Sequence, residues 1–149
     1  MATATVFNNA GAVGGLNFIL TQLNAGSGAG KIQIFTGSPP ATCETADTGT
    51  LLVTCTFSST AFPTAVDNSA GGATATASTI TGGTAGNSGN AGYFRCKPGT
   101  SSSTNAVIQG LVSATGPTDM LVNSVVVTSG DTFNISAYTV TMPDGSGSD

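Results

Sequence analysis

Seven acidic and three basic residues in a chain of 149 leave few groups able to do chemistry, and histidine is missing altogether. Nucleophilic catalysis needs a Ser or Cys beside a general base. Without imidazole, the Ser/His/Asp and Cys/His arrangements cannot be assembled from this chain. Glu44 and Asp47 are near enough in sequence to suggest the paired carboxylates of a glycosidase, which act as acid and base or nucleophile across a sugar. They lie in a Thr/Ala/Gly stretch with no aromatic platform, and are read as solvated loop acids. Cys43, Cys55 and Cys96 show no C-x-x-C spacing and have no histidine to complete a zinc site. Cys55 and Cys96 fall in apolar strand patterns, where a free thiol behaves as a small hydrophobe. A Cys43 to Cys55 bridge is the alternative, which a reducing cytosol disfavours. The expectation is a protein that is not an enzyme, with no catalytic residue, metal ligand or cofactor.

Two motifs look functional at first sight. Gly26-Ser27-Gly28-Ala29-Gly30-Lys31 resembles a phosphate-binding loop. However, the pattern wants Gly where Ala25 stands and Ser or Thr where Ile32 stands, and a strand follows in place of a helix. It is read as a linker. Asn134-Ile135-Ser136 fits a glycosylation sequon, but no export signal precedes it, and it is read as part of a strand.

One cluster carries a positive reading. Alternation through Tyr93-Phe94-Arg95-Cys96-Lys97 places Tyr93, Arg95 and Lys97 on one face and Phe94 and Cys96 on the other. Two of the three basic residues therefore share a face with an aromatic ring. Such a face is either the polar exterior of a core strand or a contact strip for an acidic or carboxyl-bearing partner.

The elements that must position these residues follow from periodicity. Leu16, Ile19, Leu20 and Leu23 recur at helical spacing and predict one short N-terminal helix, weakened by Gly14 and Gly15. From residue 31 the period becomes 2. Strands are predicted over residues 31–36, 51–57, 73–78, 91–96, 106–112, 120–127 and 132–142, with weaker extended segments at 4–7 and 61–66. Leu51, Val53, Cys55 and Phe57 should face the core together. Ser129-Gly130-Asp131 should form a tight turn, and a parity slip near Ala137 should mark a β-bulge. The Thr-Ala alternation of residues 73–78 offers side chains too small to fix register. Residues 82–90 and 98–105 read as mobile loops. With no βαβ alternation, the fold class is all-β: an antiparallel β-sandwich, jelly-roll-like, with one short N-terminal helix. The expected organisation is an N-terminal arm and helix at 1–30, a sandwich domain at 31–143 and a flexible tail at 144–149.

Charge narrows the partners. Only 7% of residues are charged and the formal net charge is −4, against roughly 25% charged in an ordinary soluble domain. Three cations cannot neutralise a phosphate backbone, so no nucleic acid is expected. No apolar run reaches the ~18 residues of a membrane span. The amino terminus lacks the basic and apolar regions of a signal peptide, which predicts synthesis in a host cytoplasm. A surface of Thr, Ser, Asn and Gly repels neighbours weakly and favours a protein that ends inside an assembly.

The run Lys31-Ile32-Gln33-Ile34-Phe35-Thr36-Gly37-Ser38-Pro39-Pro40-Ala41, an acidic loop, Gly49-Thr50-Leu51-Leu52-Val53-Thr54 and the later Phe94-Arg95 resemble jelly-roll capsid cement (decoration) proteins of tailed bacteriophages. The resemblance spans residues 31–142 and rests on short motifs of common strand and turn residues. It implies a structural protein on the capsid exterior that clamps neighbouring major capsid protein subunits. It supplies no catalytic residue, and the stretch before Lys31 departs from it. A phage tail or head-fibre component would share this composition. A carbohydrate-binding sandwich would normally display exposed aromatics, and this chain has no Trp and two Tyr. Because few charges guard the strand edges, a homodimer or homotrimer is expected. Its contacts are assigned to the arm residues Val6 and Phe7 and to the Tyr93/Arg95/Lys97 face.

Overall fold

The computed structural model describes residues 5–69, 71–100 and 105–145. Along the chain they form α1 (Asn9–Leu23), β1 (Lys31–Thr36), β2 (Leu51–Phe57), β3 (Val66–Asp67), β4 (Ala73–Thr76), β5 (Ile80–Thr81) and β6 (Gly83–Thr84). Then come β7 (Gly89–Lys97), β8 (Ile108–Ser113), β9 (Met120–Leu121), β10 (Val126–Val127), β11 (Thr132–Phe133) and β12 (Thr139–Met142). The protein is all-β with one short helix. Seven strands make a mixed sheet in the order β5-β2-β1-β7-β8-β9, with β10 on β7, while β11-β6 and β12-β4-β3 form two smaller sheets. The antiparallel expectation holds for the strand pairs of the described residues except β8 with β9, which are parallel.

The central strands pair because their apolar runs are long enough to be buried on one face. Ile32 and Ile34 of β1, Val53, Cys55 and Phe57 of β2, and Phe94 and Cys96 of β7 belong to one hydrophobic core. Covering a side chain the size of Phe or Ile contributes roughly 1.5–3 kcal/mol. Leu51 is only half-buried, and its neighbour Leu52 is buried instead, because the register of β1 on β2 shifts between Ile34 and Phe35.

The helix begins where the Asn8 side chain accepts a hydrogen bond from the Gly11 amide at 2.8 Å, capping a donor that the first turn leaves unpaired. Its buried face is Ala12, Leu16, Leu20 and Leu23, with Ile19 half-buried at the margin. This face packs on β3, β4 and β12. The small Ala73 and Ala75 of β4 are buried there and let the helix approach. Gly15 serves the same contact: a Cβ at this position would lie 3.2 Å from the Met142 sulfur. The helix thus packs into the core, against β3, β4 and β12. The weakly specified β4 is held by cross-strand threonine pairs, Thr76 with Thr139 and Thr74 with Thr141, a known way to favour one register.

Several predicted strands are shorter than their sequence pattern. Residues 120–127 divide into β9 and β10, and residues 132–142 into β11 and β12; the slip read as a bulge at Ala137 is an interruption of the ladder over residues 134–138. The turn at Ser129-Gly130-Asp131 is present, with the Asp131 amide on the Thr128 carbonyl and Gly130 at φ 94°. It does not close a hairpin, since β10 pairs with β7 and β11 with β6. The stretch 82–90, expected as a loop, contains β6 and the start of β7. Of the predicted tail, Asp144 is buried and its carbonyl accepts from the Phe7 amide; residues 146–149, like residues 1–4 and 101–104, lie outside the described residues. Among the described residues, no helix is long and apolar enough to cross a membrane.

Candidate functional site

Tyr93, Arg95 and Lys97 do share one face of β7, opposite Phe35, Gln33 and Lys31 of β1. That face is not exposed. Arg95 and Tyr93 are fully buried and Lys97 nearly so, which corrects the expectation of an exposed contact strip. The cover is the connection between β1 and β2, which folds back over the sheet. Gly37 and Gly49 flank it with φ of 82° and 69°, a left-handed conformation that favours glycine. At Gly49 a Cβ would collide with the Thr36 carbonyl oxygen.

The bonds under this cover are made largely to its backbone. The Arg95 guanidinium donates to the carbonyls of Thr45 (2.8 Å) and Cys43, and to Asp47 Oδ1 at 2.7 Å. Lys97 Nζ donates to Asp47 Oδ2 at 2.6 Å and stands 5.8 Å from the centre of the Phe35 ring. The Tyr93 hydroxyl donates to the Thr48 carbonyl and accepts from the Thr48 amide at 2.9 Å, while its ring stacks on Phe35 at 5.1 Å. Gln109, the cross-strand neighbour of Arg95, donates to the Pro40 carbonyl at 2.8 Å. Asp47 is therefore not a solvated loop acid; one carboxylate bridges two cations. Glu44 is exposed, as read from the sequence.

Chemically this cluster is a clamp. The guanidinium and the ammonium are both engaged with the Asp47 carboxylate, and Arg95 also with two backbone carbonyls. The cysteines are free. Burial pushes the thiols of Cys43, Cys55 and Cys96 above their ordinary value, and the Cys96 and Tyr138 shifts are the largest. Such thiols are unreactive. Among the described residues, no group of three or more His, Cys, Asp or Glu side chains could hold a metal. The glycine-rich turn at residues 26–30 packs backbone against backbone: a Cβ on Gly99 would strike the Gly28 carbonyl, and one on Gly26 would strike Thr100. Its glycines serve this close approach.

Val6 and Phe7 are 59% and 58% exposed. A feature the sequence reading missed is a groove of about 340 Å³ between residues 120–127 and 131–137. Its signal was available in the two long strand patterns that the fold breaks there. Comparisons with protein-family models, curated proteins and solved structures found no match.

Proposed function

We propose that the chain is a non-enzymatic structural protein of a virion that binds the outside of a phage capsid and cements neighbouring major capsid protein subunits. The observation that carries this reading is where the charges lie. Of three basic side chains, Arg95 and Lys97 are buried and paired with the partly exposed Asp47, and only Lys31 is not buried. The exterior thus carries few charges, and these are mainly acidic: Glu44, Asp67, Asp119 and Asp131 are exposed. Soluble domains usually keep mixed charge outside to stay apart. An exterior with so few charges loses little on desolvation and keeps long-range repulsion between copies weak. Summed weak contacts across such a surface brace a shell.

The test is to add the purified chain to cognate shells that lack it and follow co-sedimentation and shell melting. Saturable binding with a raised melting temperature is expected. Absence of binding at micromolar concentration, or turnover of a substrate abolished by one Ser, Asp or Glu substitution, would end the proposal.

A further inference from the structure

Residues 37–50, the connection that covers Tyr93, Arg95 and Lys97, are tied down in an unusual way. Pro40 is their one buried residue, and apart from half-buried Pro39 and Cys43 the others are exposed. Among the described residues, one backbone-to-backbone bond joins their interior to another segment, from the Ala106 amide to the Cys43 carbonyl at 2.9 Å. They are held mainly by the side chains of Tyr93, Arg95, Lys97 and Gln109, which reach up from the sheet. The aromatic pair beneath them, Phe35 stacked on Tyr93, is buried yet stands apart from the main core. Neither ring belongs to the cluster that holds Ile34, Phe94 and Cys96. A satellite cluster under a loop that itself buries little apolar surface is a unit able to open locally ahead of the whole fold.

We infer that residues 37–50 form a strap that opens as one unit about Gly37 and Gly49 while the sheet stays folded, with Asp47 as its latch. Both glycines have positive φ, and a glycine backbone turns with little steric hindrance. At Gly37 even an added Cβ would meet nothing within 4 Å. The latch can be released because its carboxylate side chain is already 32% exposed, and ions that leave a desolvated pair regain their water. Opening brings Phe35, Tyr93, Arg95 and Lys97 to solvent together. Two cations and two rings then stand on an exterior whose other charges are mainly acids, a face that the closed chain withholds. This inference does not depend on the capsid reading.

Thiol labelling of the full chain tests it, because Cys43 rides on the strap while Cys55 and Cys96 are buried in the main core. A maleimide is applied at urea concentrations below the unfolding transition, and each cysteine is followed by peptide mass spectrometry. Cys43 should label at a rate nearly independent of urea, since strap opening exposes little surface. Cys55 and Cys96 should label more slowly, with the steep urea dependence of global unfolding. Leu20→Ala, in the helix, should speed Cys96 and leave Cys43 unchanged. Asp47→Asn should speed Cys43 roughly tenfold or more, and Glu44→Gln should not. Should Asp47→Asn fail to fold, Lys97→Gln, which leaves the Arg95 pair in place, replaces it with the same direction expected. Labelling of Cys43 with the urea dependence of Cys96, acceleration of Cys43 by Leu20→Ala, or a Cys43 rate indifferent to the latch variant would overturn the inference.

Discussion

Asp47 holds two buried or nearly buried cations at 2.6 and 2.7 Å, and its removal leaves both without a counterion. Breaking a fully buried pair costs about 3–5 kcal/mol, and with the Asp47 side chain 32% exposed the lower figure of about 2–3 kcal/mol applies to Asp47→Ala. Glu44→Ala, three residues away and exposed, should change stability by less than about 0.5 kcal/mol. Urea denaturation of the two variants checks the contrast, and equal effects would mean that the clamp contributes nothing. A second residue-scale prediction concerns alkali. Burial raises the Cys96 and Tyr138 groups above their ordinary values of 9.0 and 10.0, so the unfolded chain loses these protons first. Stability is complete below about pH 9 and falls as pH rises beyond it. The urea midpoint should drop as pH rises from about 9 to 11, and less steeply in Cys96→Ala; a flat profile would refute the assignment.

Among the elements, β2 tests the core most simply. Phe57 is buried and lies 5.5 Å from Phe62, centre to centre, and Phe57→Ala should cost ~3–5 kcal/mol in chemical denaturation. An unchanged midpoint would mean the strand faces the other way. The facing of β2 was legible because period 2 and burial coincide at Val53, Cys55 and Phe57. The face of β7 was misjudged for a physical reason: alternation tells which side chains share a side, but not what covers it. The cover here is an irregular connection, held by backbone carbonyls that leave no mark in sequence. One mark did exist. Two of three cations stood on one strand face, and in so uncharged a chain that clustering asks for a counterion. The failure at residues 132–142 has another cause, since a strand pattern records propensity and a ladder needs a neighbour, which this chain does not provide at 134–137.

For the whole molecule, the exterior carries few charges, mainly the exposed acids Glu44, Asp67, Asp119 and Asp131, and this sparseness links the composition to the proposed role. The all-β class was legible from the period change at Lys31, whereas the strand order was not, because pairings such as β1 with β7 join distant segments. A chain that fails to repel its copies can be packed densely, and a shell that needs bracing everywhere uses it in large numbers. A tail or fibre component needs few. Quantitative mass spectrometry of purified virions measures this difference. Hundreds of copies per particle are expected; a dozen or fewer, or absence from the particle, would contradict the account.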